Sequence, residues 1–434
     1  MIPKLLYITF FCFLIMNFTP SKGQESGETK EISTTELKDR LDGIDENVTG
    51  LLNDLAGLKK IKISGYMQIQ FEKTESNKGF DLGGGNYSID PYDSSEHNVQ
   101  GRFRVRRSRL KTAYNAGLTQ FVLECDFSNE KFTLKDAYIN FMEPWTKYFS
   151  MTVGVFKRPN YEVEYSSSQR ESMERSAVVR KLYPDERDLG AMLTFSPEDW
   201  FKLQIAGFNN TYNGDLKQFW PNFNSAPLYY MFRLTKELMF SNLGLSVDLG
   251  VHARIGDLVA NTDKVIQSEN NNTIIDSASV KKGDKIGRNW FGVEAQIYYD
   301  FLGGMKILGE YITGTNTDEA IAATSAATPI RMRNFSGFYI MLVKNISTEW
   351  QFVAKYDSYN PNTKIVKTDI NSTSDLPVST LGFGIHNYTF DNIRISLWYD
   401  MNATATNDNL VKGKPLLEKD PVDNFLILRF QYKF

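Results

Sequence analysis

The chain has 434 residues, with 49 Lys and Arg against 52 Asp and Glu and a formal net charge of -3, so it offers no global basic field for nucleic acid. Aromatic residues reach 13% while Cys numbers two, a profile suited to amphipathic strands and unlike a disulfide-stapled scaffold. A soluble chain of this length would be expected to divide into domains, whereas a closed barrel can absorb it as one body.

Residues 1–23 read as a signal peptide: Lys4 supplies the positive end, and the apolar run from Leu5 to Phe18 is followed by Thr19, Pro20, Ser21 and Gly23. The run is short for a membrane-spanning helix. Cys12 would leave with it, and the remaining Cys125 could then form neither an intramolecular disulfide nor a Cys-based metal cluster. No later segment is apolar for long enough to be a membrane helix. An exported chain can still span a membrane as a barrel, since closure satisfies every backbone group in lipid.

Residues 31–60 are expected to form a periplasmic helical neck. Leu37, Leu41, Ile44, Val48, Leu51, Leu55 and Leu58 recur at steps of four and three, a coiled-coil seam. Gly43, Gly50 and Gly57 share the seven-residue period, and each weakens an isolated helix by about 0.8 to 1 kcal/mol relative to Ala. The neck therefore either pairs with partner helices or folds back on the periplasmic rim of its own barrel.

From residue 61 to 434 the period is two. In Asp423–Phe434, Leu426, Leu428, Phe430, Tyr432 and Phe434 share one face and Arg429, Gln431 and Lys433 the other. Leu243–Ile255 and Ile393–Tyr399 divide in the same way. Alternating runs give about sixteen strands, starting near Ile61, Phe103, Leu118, Phe132, Phe149, Leu189, Phe201, Leu228, Leu243, Trp290, Met305, Phe338, Thr348, Leu381, Ile393 and Asn424. Short turns such as Glu143–Thr146 and Thr389–Asn392 alternate with long polar connections such as Arg158–Arg187 and Gly256–Arg288. A soluble sandwich has no reason to sort its loops this way, whereas an outer-membrane barrel with a periplasmic N-terminus does.

Two strands fit poorly. In Arg102–Tyr114 the apolar phase of Phe103 and Val105 shifts after Arg107 to Leu110, Thr112 and Tyr114, which predicts a β-bulge or arginines reaching toward headgroups. Phe338–Val343 is apolar on both faces, so either its inner face touches a plug or the register differs.

The chain resembles the phosphate-selective porin O and P family over most of the segment from Lys62 to Phe434. The residues that carry this are Arg107–Leu110 (Arg-Ser-Arg-Leu), Lys135–Ile139 (Lys-Asp-Ala-Tyr-Ile), Val153–Pro159 (Val-Gly-Val-Phe-Lys-Arg-Pro), Glu174–Ser176 (Glu-Arg-Ser), Arg187–Gly190 (Arg-Asp-Leu-Gly) and Phe208–Asn210, in this order and spacing. The resemblance implies a bacterial outer-membrane location, sixteen strands, a homotrimer, a periplasmic N-terminal helical segment and a third extracellular loop folded into the lumen. On the register above, that constriction loop is 158–187. The terminal aromatic Phe434 resembles the signal read by the barrel assembly machinery.

A pore selects ions at its narrowest ring. The selectivity candidates are Arg104, Arg106, Arg170, Arg175, Arg180, Lys181, Arg187 and Glu174. Family members that favour phosphate line the path with Arg and Lys, but Lys157–Asp188 carries seven positive and seven negative side chains, a departure that leaves the preferred solute open. Paired charges bracing the loop against the wall are the alternative role, which suits Arg175 and Arg187 best. His97, His252 and His386 have no metal-ligand spacing, so neither metal nor cofactor is expected. An enzyme would need a nucleophile beside a rim His, for which these few histidines offer little. The leading reading is a passive diffusion channel for small hydrophilic solutes, anions such as phosphate among them, in contact with outer-membrane lipid. The alternative is a structural or accessory barrel docked to other envelope proteins.

Overall fold

The computed structural model describes residues 57–434 apart from 76–100, 129–131, 184–185, 210–226, 261–264, 270–271, 276–280, 282, 301, 317–329, 371, 412–413 and 422. The expected signal peptide and most of the neck lie outside the described residues. Gly57 and Leu58 are helical, and the period-two pattern begins within three residues of them.

Among the described residues sixteen antiparallel strands close a barrel. They are β1 (Ile61–Thr74), β2 (Gly101–Ala116), β3 (Thr119–Asp126), β4 (Thr133–Met142), β5 (Phe149–Lys157), β6 (Arg187–Glu198), β7 (Phe201–Phe208) and β8 (Tyr229–Phe240). The second half comprises β9 (Leu245–Ile255), β10 (Trp290–Tyr299), β11 (Met305–Thr315), β12 (Asn334–Asn345), β13 (Trp350–Asn360), β14 (Val378–Phe390), β15 (Ile393–Thr404) and β16 (Phe425–Lys433). Each pairs with its neighbours in sequence, and β16 returns to β1, Gln431 opposite Gln68 and Arg429 opposite Gln70. The strand count and the closing pair agree with the alternation read from the sequence, and the strand starts fall within four residues of those read, the largest displacement being Asn334 for Phe338.

Outward positions form an apolar belt: Leu249, Val251, Phe291, Val293, Ile340 and Phe430 are all exposed. At the short-turn end aromatic side chains ring the barrel, among them Trp145, Trp200, Trp350, Tyr388, Phe390 and Phe434, the girdle that marks a membrane interface. The turn between β4 and β5 is held by Glu143, whose carboxylate accepts from the backbone N–H of Trp145 and Thr146, both at 2.8 Å, and of Tyr148 at 3.1 Å. The long connections at the other end carry small sheets of their own, such as Asn407–Val411 paired with Lys414–Leu417.

Both irregular strands have a physical explanation. The register of β1 on β2 slips between Gln68 and Ile69, which face Arg107 and Val105, so Arg106 is the extra residue of a bulge. The bulge turns Arg106 and Arg107 both toward the lumen while Phe103 and Val105 stay outside. On β12, Tyr339, Met341 and Val343 point inward and are buried around Met173 of the 158–186 connection, with Leu308, Val353 and Trp398. The doubly apolar strand is thus the surface against which an inserted loop rests.

Candidate functional site: the loop that crosses the lumen

The connection between β5 and β6 turns into the barrel. It contains two short helices, α1 (Tyr161–Glu164) and α2 (Ala177–Leu182), each begun by a side chain that accepts from the first turn: Asn160 from Val163 N at 3.1 Å and Ser176 from Val179 N at 3.4 Å. Helices of four and six residues cannot persist alone. They are held because Val163, Val178, Val179 and Leu182 are fully buried against Phe156, Phe208, Tyr229, Met231, Ile312 and Phe335 of the wall. Each such side chain contributes roughly 1.5–3 kcal/mol. Trp290 Nε1 also donates to the Tyr183 hydroxyl at 2.9 Å.

Polar straps tie the loop to the rest of the wall. Gln68 and Gln431 donate to Ser167 O and Ser168 O, Arg394 to Arg170 O, and His386 pairs with Glu171 O at 2.7 Å. Opposite, Gln204 and Arg233 reach Glu164, Lys306 reaches Glu171, and Lys355 lies 3.6 Å from Glu162 and 3.4 Å from Asp357. The loop therefore spans the lumen. Beneath it, toward the short turns, lie two cavities. One of about 460 Å³ is lined by β1–β6, β16 and the loop, with Arg109, Lys111, Glu124, Asp136 and Lys157 on its surface. The other, of about 540 Å³, is lined by β8–β13 and the loop, with Leu245, Tyr298, Lys306 and Val343.

The bulge of β2 meets the loop at Glu174. Arg106 donates to it through Nε and Nη2, both at 3.0 Å, Arg107 approaches at 3.5 Å and Arg429 at 3.4 Å. Burial by itself would raise the Glu174 carboxyl, but the charges of Arg106, Arg107, Arg429 and Arg170 outweigh it and hold the group well below the usual carboxylate range. Four guanidinium groups thus surround one carboxylate. Beside them Glu72 serves both Arg102 at 2.8 Å and Arg104 at 3.1 Å.

The remaining candidates separate by role. Arg170 is buried and donates to Ser172 O and Met173 O, holding the loop's own bend. Arg175 pairs with Glu186 and donates to Glu162 O at 2.8 Å. Arg187 meets Asp136 at 2.6 Å, Glu186 at 3.1 Å and Glu124 at 3.4 Å. Arg180 and Lys181 occupy the last turn of α2, where Lys181 is exposed and Arg180 lines a small cleft with Asp357 and Asp400. Of the eight candidates, then, Arg106, Arg170 and Glu174 share the hub, Arg104 stands beside it, and Arg175 and Arg187 brace the loop.

The motifs that carry the family resemblance are these straps. Arg107 and Arg109 belong to one, Asp136 to the next, Glu174, Arg175 and Ser176 to a third and Arg187 to a fourth; Arg107 pairs with Glu174 and Arg187 with Asp136, while Arg109 pairs with Asp126 at 2.9 Å and Glu124 at 3.3 Å. Arg107 and Arg109 were absent from the residues singled out as pore candidates, although the phase shift at Arg107 marks the bulge that turns it inward. Another grouping, His252 with Glu294 and Glu310, had no signal in histidine spacing, because it assembles across three strands.

A closed, apolar-belted barrel of sixteen strands with a loop folded into a charged lumen defines an outer-membrane channel of the porin class. The model of the family named phosphate-selective porin O and P matches residues 80–434, and the chain belongs to that family. Solved structures similar in fold include the outer membrane channel DcaP of Acinetobacter baumannii, 10% identical, covering 86% of this chain and 97% of that one, with a TM-score of 0.56. OprB of Pseudomonas putida is 9% identical over 89% and 96% of the two chains with a TM-score of 0.58. OmpT of Vibrio cholerae, in a trimer form, is 12% identical over 86% and 99% with a TM-score of 0.51. No curated protein matches the chain. The chain is an outer-membrane protein of bacteria.

Proposed function

We propose that the chain is a passive diffusion channel for small hydrophilic solutes, that it draws anions such as phosphate toward its narrow zone, and that it catalyses no chemical step. The observation that carries the anion preference is the excess of guanidinium groups around Glu174. Near-equal totals of acid and base hide a local grouping: Arg104, Arg106, Arg107 and Arg109 gather on β2 beside Arg394 of β15 and Arg429 of β16, while Glu294, Glu310, Asp357 and the loop's Glu162 and Glu164 lie on the β8–β13 side, opposed there by Arg233, Arg254, Lys306 and Lys355. The 460 Å³ cavity beside β1–β6, with Arg109, Lys111, Glu124, Asp136 and Lys157 on its surface, suits a hydrated solute better than its counterpart, which Met239, Leu245, Met305 and Val343 make more apolar, and we assign the path to it. The aromatic girdle contacts lipid, the subunits associate as a homotrimer like the trimer form of OmpT, and Phe434 is offered to the barrel assembly machinery.

The test is reconstitution of the purified protein in planar bilayers across a potassium chloride gradient. A reversal potential of the sign that favours chloride, with steps that phosphate blocks, supports the reading. A potential favouring potassium sinks the anion preference. The loop's bonds to opposite walls favour a second reading, an accessory barrel with a closed lumen, which an absence of ion steps would support. Native mass spectrometry in detergent tests the trimer.

A further inference from the structure

We propose that His252, Glu294 and Glu310 form a binding site for one divalent transition-metal cation of the zinc class. This goes beyond the channel reading and does not rest on it. The three side chains point into the lumen from neighbouring strands β9, β10 and β11. Their register brings them together: Glu294 lies opposite Gly250 on one side and Glu310 on the other, and His252 lies opposite Gly292. One donor atom from each falls within 4.8 Å of the others, and His252 Nε2 is 2.7 Å from Glu310 Oε1. All three residues are at least nine-tenths buried, at 1%, 4% and 3% exposure.

Three features point to a cation site. First, the two facing glycines form a cradle: a Cβ at Gly250 would strike the Glu294 carboxylate, and one at Gly292 the His252 imidazole, so both donors lean over space that any larger residue would fill. Second, Glu294 Oε2 and Glu310 Oε2 have no hydrogen-bond partner, which is costly for buried polar atoms. Third, two carboxylates directly opposite on adjacent strands repel. Arg233, at 2.6 Å from Glu294 Oε1, is shared with Glu164, and the neutral Asn160 side chain donates to Glu310.

The donor set selects the ion. One imidazole and two carboxylates suit Zn²⁺ better than Ca²⁺ or Mg²⁺, which take oxygen alone, and water would complete a tetrahedron. A proton shared between the two carboxylates is the competing way to relieve their repulsion. Because Asn160 starts α1 and touches both Glu310 and His252, the cation would sit where the loop enters the lumen.

The experiment uses the full-length folded protein in detergent, dialysed against low-micromolar Zn²⁺ and analysed for metal, with Co²⁺ absorption as a second readout. The expected result is one Zn²⁺ per chain, with affinity lowered about tenfold or more by Glu310→Gln or His252→Gln and unchanged by His97→Gln. Heat-modifiable gel mobility reports whether each variant is folded. Should a substitution prevent folding, Co²⁺ bound to the unsubstituted protein decides: an intense low-coordinate band supports the site, and a weak six-coordinate band or none overturns it. Failure to retain Zn²⁺, or retention that survives both substitutions, also overturns it and leaves the shared proton.

Discussion

Glu174 sets the local charge where β2 meets the loop, because among the described residues it is the carboxylate that pairs with Arg106, Arg107 and Arg429 together. Glu174→Gln removes a unit charge worth about 1 kcal/mol at 4 Å even in water, so the anion-over-cation permeability ratio should rise by up to about fivefold, read from reversal potentials. Arg106→Gln should move it the other way. The depressed carboxyl fixes the pH window. A group whose folded pKa lies below its unfolded value, about 4.3 for Glu, stabilises fully above that unfolded value and loses its effect only as pH falls through the folded one. Loop-dependent conductance should thus stay constant from pH 8 to about pH 5 and change only on stronger acidification. A transition near neutrality would contradict the charge hub. At this scale the sequence was partly legible: Arg106 and Glu174 stood out as charges, but their partnership did not, since 68 residues separate them.

The loop and the irregular strands belong together as elements. The phase shift in β2 and the doubly apolar β12 were both visible as departures from alternation, and each marks a place where the wall receives the loop. Gly337 of β12 shows how close that contact is: an added Cβ would strike Val178 of α2. Gly337→Val should therefore lift α2 from the wall and forfeit part of the roughly 1.5–3 kcal/mol that each buried aliphatic side chain contributes. The expected outcome is faster proteolytic cleavage within 158–186 and larger, noisier conductance with the barrel still folded. Leu182→Ala, which leaves a cavity at a fully buried site, should cost about 2–5 kcal/mol and give the same phenotype. Unchanged protease resistance in both variants would show that the straps alone hold the loop. The helices α1 and α2 were not legible in the sequence, because segments of four and six residues carry no periodic signal and form only once packed.

At the scale of the molecule, closure joins β1 to β16, and Gly65 accommodates the ring of Phe434 while their backbones exchange hydrogen bonds at 3.0 Å in both directions. Gly65→Val should force that ring out of the seam. The prediction is slower assembly and a lower unfolding midpoint in urea at unchanged slope, with the conductance of assembled channels preserved. The sequence by itself determined the barrel, its strand number, its loop asymmetry and the identity of its closing strand, since these follow from a two-residue period that lipid outside and water inside impose on every strand. Only the tertiary structure decided how charge is distributed within it. Charges that cancel along the chain gather into uneven local groups once strands are laid in register, several guanidinium groups at Glu174 among them, and His252, Glu294 and Glu310, up to 58 residues apart, become neighbours. Distances across a barrel are set by hydrogen-bond register between strands, which the order of residues within one strand does not state.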